Sequence, residues 1–280
     1  MTALTEDAAR ALLDSHDLIA AGARADEARR ARHGGRTSFV RVFEVHVDAV
    51  PASMAEGISA GEVRIVGAPG SIAAAAAAVR AARAAAGDRP VTAFSLADVM
   101  ALGERGPRAA LQALVEAGLE TIADVPLDRL QDPAAALAAV REAGLRAPRV
   151  TVHRLEPGRR LAVLQLARDL QASVGGIEAF APLARESSAS APTTGYDDVR
   201  QVALARLVAD NIPHIQVDWA LYGPKLAQVA LTMGADDVDG VSATAGDLGR
   251  RRSPIEEIRG NIVAAGLEPV ERTARFEPRR

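Results

Sequence analysis

The chain has 280 residues, which suits one large α/β domain or two small ones. Apolar residues make up 49% and charged residues 25%, as in an ordinary globular protein, and a net charge of −3 without a long like-charge block gives no electrostatic basis for binding nucleic acid. There is no cysteine, and the expectation is that this excludes disulfides, thiol nucleophiles, thiolate zinc sites and cysteine-held iron–sulfur clusters, and with the clusters any radical chemistry that depends on them.

Residues 5–32 read as a helical prelude, with Thr5 as N-cap, acids in the first turn, arginines late and Gly34 as a stop. Its acidic character is unlike a secretion signal, and no apolar run approaches the roughly 20 residues that span a bilayer, so the expectation is a cytoplasmic protein. Short β-like runs then alternate with Ala/Leu/Arg-rich runs. The predicted strands are 38–48, 61–68, 90–96, 119–125, 148–155, 176–183, 214–221 and 236–243. Between them, "SIAAAAAAVRAARAAAG" (71–87) has the highest helix propensity, and several later helices open on Pro and close on Gly. Eight β–α alternations predict a TIM-like (β/α)8 barrel, with allowance for a shortened or incomplete ring. No GxGxxG follows the first strand to favour an open dinucleotide-binding sheet. Residues 1–36 are expected to be a helical extension and 37–280 the barrel domain. Residues 185–195, "RESSASAPTTG", are expected to be a disordered loop, and Arg250–Arg252 a solvated basic tip.

Ligands of such barrels meet the C-terminal strand ends. In "VRVFEVHVDA" (40–49) strand alternation puts Glu44, His46 and Asp48 on one face, where two carboxylates around an imidazole suit metal binding or acid–base work. The competing expectation is that Glu44 pairs with Arg64 on the next strand while His46 and Asp48 line a polar mouth. Arg64, Asp124, His153, Arg154, Asp218, Trp219 and Tyr222 are candidate ligand contacts, and no metal site is assigned. His214 falls at the opposite, stability end of its strand. "GAPGS" (67–71) reads as a turn and N-cap, because it lacks a P-loop lysine and spacing.

The stretches "GGIEAFAPLA" (175–184), "DDVRQVALARLVADNIPHIQVDWALYGPKLAQVALTMGADDVDG" (197–240) and "SPIEEIRGNIVAAGLEPVERTARF" (253–276) resemble the C-terminal part of one radical-SAM family. That family contains aminofutalosine synthase (MqnE) and dehypoxanthine futalosine cyclase (MqnC) of menaquinone biosynthesis, with the CofH-type synthase. Upstream, "VTAFSLADVMALGERG" (91–106) and "LQALVEAGLETI" (111–122) are similar to the same family's third strand and following unit. The resemblance implies a barrel, a futalosine-type pathway and a cluster loop after the first strand. Here that loop is "VDAVPASMAEG" (47–57), without the family's CxxxCxxC.

These departures give the expectation of a cysteine-less, catalytically silent relative without [4Fe–4S] cluster or S-adenosylmethionine. It would act by binding a pathway intermediate, a protein partner or a respiratory, quinone-linked assembly. The alternative is a non-radical enzyme applying acid–base or metal-assisted chemistry, through Glu44, His46 and Asp48, to a quinone precursor or nucleoside. Nucleic acid and a membrane span are not expected.

Overall fold

The first strand pairs in parallel with both its successor and the eighth strand, so the sheet closes on itself. In this computed structural model, which describes residues 4, 6–15, 17–103, 106–186, 193–244 and 254–279, helices α1 (Glu6–Asp14) and α2 (Leu18–His33) precede β1 (Arg36–His46). There follow β2 (Glu62–Val66), α3 (Ile72–Ala86), β3 (Val91–Ser95), α4 (Leu96–Ala101), α5 (Pro107–Glu116), β4 (Thr121–Pro126) and α6 (Pro133–Glu142). The second half runs β5 (Arg149–Val152), α7 (Arg160–Ser173), β6 (Ala179–Ala184), α8 (Gly195–Val208), β7 (His214–Asp218), α9 (Trp219–Thr232), β8 (Asp237–Ser242), α10 (Pro254–Ala264) and β9 (Glu268–Glu271). The expected (β/α)8 barrel is thus present as a complete eight-strand ring. β9 adds to β1 outside the ring and was not predicted, since "EPVE" lacks the apolar alternation of a buried strand. Thr5, Arg250–Arg252 and residues 187–192 of the expected loop lie outside the described residues.

Local chemistry explains the element boundaries. The Ser71 hydroxyl accepts from Ala74 N at 3.1 Å and starts α3, and Gly87 at φ 61° ends it, so "GAPGS" is the turn and cap expected. Asp132 caps α6 through Ala135 N at 2.9 Å, with Pro133 in the first turn. The seventh strand ends at Asp218, three residues earlier than predicted. There the Asp218 carboxylate accepts from Leu221 N at 3.0 Å and converts Trp219–Leu221 into the first turn of α9. The prelude is two helices, broken where Asp17 caps α2. Both lie against the barrel's outer layer, where Ala25 and Ala28 pack with Ala203 and Leu207 of α8, and Arg200 donates to the Leu13 carbonyl at 3.2 Å.

Between sheet and helices the core is aliphatic: Val63, Ile65, Val91, Ala93, Ile122, Val150 and Ile215 pack against Val79, Leu111, Leu137, Leu164 and Leu204. The ring interior is different. Arg64 of β2 reaches past β1 to bond Asp239 of β8 at 2.7 and 3.1 Å and grips Glu62 at 2.7 and 2.9 Å. Arg149 of β5 meets the same Asp239 from across the ring, and Thr92 donates to Glu62. Contacts between non-neighbouring strands run through the lumen, so alternation places these charges inside. One layer below, Asp237 is held bidentately by Arg272 at 2.6 Å and also receives Gln216 at 2.6 Å. Arg272 comes from the segment after β9 and closes the bottom of the barrel. Its carbonyl approaches Gly61 so closely that a Cβ there would lie 2.5 Å from it.

Burial raises the Glu62 carboxyl, but Arg64, Arg149 and the Thr92 hydroxyl outweigh it and hold Glu62 down at about 2. At the barrel bottom Asp236 is likewise raised by burial and then lowered, by Arg206, His214 and His33, to about 2. Both folded values lie below those of an unfolded carboxylate, so the stability these groups contribute is present above about pH 5 and is lost as pH falls through about pH 2. In an acid titration the emission of Trp219, the single tryptophan and 1% exposed, stays blue-shifted to about pH 4, with its transition below that value. Asp239→Asn leaves two buried guanidinium groups facing a neutral amide. It lowers unfolding free energy by about 3–5 kcal/mol in urea denaturation, whereas Asp48→Asn, at an 80% exposed side chain, leaves it within error.

Candidate functional site at the barrel mouth

The C-terminal strand ends sit above this paired floor, and their side chains divide into three groups. Glu44, His46 and Asp48 occupy the rim at the end of β1. His46 Nδ1 lies 3.6 Å from an Asp48 carboxylate oxygen, the two side chains being 56% and 80% exposed. Glu44 is exposed and, among the described residues, makes no hydrogen bond or ion pair. The expected Glu44–Arg64 pair does not form, although the two are register partners on adjacent strands. Arg64 is taken by Glu62, two residues away on its own strand face, and by Asp239. Arg64 is buried beneath the mouth with all its charge committed.

His153 and Arg154 form the second group. Their backbone N–H groups both donate to the Asp128 carboxylate, at 2.6 and 2.7 Å, and their side chains meet Glu186 at 3.3 and 3.1 Å. With Leu127, Arg129, Leu155 and Leu166 they line a cavity of about 530 Å³ over the β4–α6 and β5–α7 connections.

The third group lines the mouth itself. Asp124 of β4 accepts from the Thr151 hydroxyl at 3.0 Å through one oxygen; among the described residues its other oxygen has no hydrogen-bond or ion-pair partner. Its register partner on β3, Ser95, has a buried hydroxyl without a hydrogen bond among the described residues. Ser95 is the N-cap residue of α4 and follows Phe94, held at φ 59°, yet its side chain makes no capping bond. A buried hydroxyl without a partner among the described residues thus belongs to the register partner of a carboxylate that uses one of its two oxygens.

Across the ring, Asp218 caps α9 with one oxygen and faces Arg185 at 3.5 Å with the other. Gly240 of β8, at φ 70°, leaves room for it, since a Cβ there would lie 2.7 Å from Asp218 Oδ1. Tyr222 donates to the Ala184 carbonyl, and burial first, then Asp198 and Asp218, raise its phenol so that it stays neutral. Trp219 is buried in the core and its indole N–H has no hydrogen-bond partner among the described residues.

The structure therefore places Asp124, Asp218 and Tyr222 at the mouth and His153 and Arg154 on its outer rim, while Glu44, His46 and Asp48 are exposed at the end of β1, with Glu44 near enough to Arg64 to favour its charge, as Asp218 does. Sequence reasoning missed two contributors. Ser95 lies within the predicted strand 90–96 with nothing to single it out, and Arg185 falls in the predicted loop because the polar run that follows it hides the end of β6. An inward carboxylate across the ring is the signal that would have found Arg185.

Residues 180–280 match the family model described as the CofH/MqnC C-terminal region. An aminodeoxyfutalosine synthase of Streptomyces coelicolor is 32% identical over 160 residues, which is 49% of this chain and 41% of that protein. A 5-amino-6-(D-ribitylamino)uracil–L-tyrosine 4-hydroxyphenyl transferase of Haloarcula marismortui is 35% identical over 133 residues, 42% of this chain and 29% of that protein. The matched region thus spans less than half the length of either relative. Among solved structures, methylornithine synthase (PylB) superposes with a TM-score of 0.66 at 13% identity, covering 95% of this chain and 94% of that one, a likeness of fold.

These findings correct two expectations drawn from the missing cysteines. The relatives are a synthase and a transferase, so the leaning against enzymatic activity and the exclusion of radical-SAM chemistry do not stand. Nor does the expectation that the protein works without cluster and S-adenosylmethionine. Composition over a stretch matching less than half of those enzymes is not positive evidence against their cofactors. The residues present do not by themselves fit a cysteine-held cluster, since the loop after β1 offers no thiolate. No helix among the described residues is long and apolar enough to cross a membrane. Residues 180–280 are thus similar to the CofH/MqnC C-terminal region, about half of the chain is similar to part of an aminodeoxyfutalosine synthase, and the whole is built as a (β/α)8 barrel.

Proposed function

We propose that this chain supplies the substrate-holding barrel of an enzyme in the class of its aminodeoxyfutalosine synthase relatives, and that its mouth binds a polyhydroxylated, ring-bearing intermediate. The pathway implied by the resemblance is menaquinone synthesis. One observation carries the reading: the buried ionic groups of the floor are neutralised within the protein, whereas at the mouth an Asp124 oxygen and the hydroxyl of its register partner Ser95 are without partners among the described residues.

A sugar-derived chain supplies what these groups lack. Its hydroxyls donate to the Asp124 and Asp218 carboxylates and accept from Ser95, each bond to an ionised carboxylate being stronger than one between neutral groups. Arg185 holds Asp218 in place and neutralises part of its charge, so the mouth accepts a neutral hydroxylated molecule without repelling it. Tyr222, fixed by the Ala184 carbonyl, forms a wall. The ribityl chain named in the Haloarcula transferase and the nucleoside character expected of a futalosine share this chemistry. The side chains shown here bind and orient; the steps assigned to them end there.

The test is isothermal titration calorimetry of the full chain with 5-amino-6-(D-ribitylamino)uracil and with dehypoxanthine futalosine. One of the two is expected to bind with 1:1 stoichiometry, and Asp124→Asn to weaken it by about 2 kcal/mol, the cost of losing hydrogen bonds to a charged acceptor. Gly240→Ala, which displaces Asp218, weakens the same ligand, whereas Asp48→Asn leaves its affinity unchanged. Absence of binding by both probes, or equal binding by wild type and Asp124→Asn, overturns the proposal.

A further inference from the structure

At the opposite, N-terminal end of the barrel, two imidazoles and a carboxylate converge from three elements. His33 is the last residue of α2, His214 opens β7 and Asp236 immediately precedes β8. His214 Nδ1 lies 2.5 Å and His33 Nε2 3.2 Å from the same Asp236 oxygen, and the three candidate donor atoms all fall within 4.8 Å of one another. We propose that His33, His214 and Asp236 form a divalent metal site of zinc-like preference that ties the helical extension to the base of the barrel, independent of the mouth.

Donor chemistry and geometry both support it. Two imidazoles and one carboxylate are a common zinc donor set, and imidazole also suits copper, nickel and iron. His33 and His214 stack with centroids 4.9 Å apart and planes 23° apart, so the rings are already adjacent, and one of them turns to bring both nitrogens onto a common ion. The second oxygen of Asp236 is engaged by Arg206 and by Ile215 N at 2.9 Å, so the carboxylate is oriented with one oxygen turned to the histidines. Such outer partners are what fix a ligating carboxylate.

There is also room and access. A cavity of about 140 Å³, lined by both histidines, Ser38, Val270 and Phe276, opens onto the group and can hold a water as fourth ligand. Without an ion the group is held by hydrogen bonds: His33 Nε2 lies 2.9 Å from the Pro213 carbonyl, and His214 Nδ1 donates to the Asp236 carboxylate. On binding, a neutral ring moves its proton to the other nitrogen and a charged ring releases it, so uptake weakens as pH falls. Arg206 carries positive charge close by and selects against a site built from charge alone; here the imidazole lone pairs supply the affinity. Position assigns the ion a structural role, since the N-terminal face of such barrels serves stability.

The experiment uses the full, chelator-treated chain at pH 7.5, titrated with Zn²⁺ by calorimetry, and with Co²⁺ to read the visible absorption of a low-symmetry nitrogen–oxygen site. One equivalent is expected to bind and raise the melting temperature. His33→Ala, at the end of a surface helix and confirmed folded by circular dichroism, is expected to lose affinity by about tenfold or more. His46→Ala, at the mouth rim, is expected to keep wild-type affinity. Failure of the wild type to take up either ion overturns the site, as does equal affinity in His33→Ala. A loss confined to His46→Ala assigns the ion to the other end of the barrel and likewise overturns it.

Discussion

The structure depends on one buried carboxylate. Asp239 of β8 receives Arg64 from β2 and Arg149 from β5, two guanidinium groups that would otherwise face each other inside a closed ring. Burial and the neighbouring Arg64 charge both lower Arg149 from its ordinary value, and Glu62 and Asp124 oppose them. The ring can close around these charges only because each is matched at short range. An aliphatic lumen would have been less costly to desolvate. What the ion pairs add is a rigid polar layer whose members come from non-adjacent strands, which fixes how those strands sit relative to one another.

That layer also divides the barrel into two ends with different chemistry. Below it, Asp237 and Arg272 bring the segment after β9 under the ring, and Phe276 stacks on His214 while Arg272 lies 4.0 Å over Phe276. The bottom is therefore closed by residues drawn from α2, β7, β8 and the last described segment. Above it, strand ends carry groups with unspent hydrogen-bonding capacity. A ligand at the mouth and an ion at the base would share a wall of neutralised charge and little else.

Much of the fold was legible. The alternation of β-rich and Ala/Leu runs gave every ring strand within a few residues, because a strand covered on its outer face by helices must be apolar there. The helix starts were legible where one side chain decides them, as at Ser71 and Asp132. The end of β7 was not, since "HIQVDWAL" reads as strand throughout; Asp218 turns it into a helix by capping Leu221, a choice of rotamer rather than of composition. The candidate site was legible only in part. Asp124, Asp218 and Tyr222 could be listed as strand ends, but Glu44, His46 and Asp48 carried the same signal and lie on an open rim. Burial separates the two sets, and burial depends on the curvature of the ring.

The amino-acid order by itself determined the repeated β–α unit and the likeness to the CofH/MqnC region, because these follow from spacing and residue identity along a local stretch. Tertiary structure alone decided which partner each charge takes. Arg64 passes over its register neighbour Glu44 for Glu62 and Asp239, and His33 meets His214 and Asp236 across about 180 and 200 positions of sequence. Such pairings are settled when the ring closes and the low dielectric of its interior makes an unmatched charge costlier than any local preference.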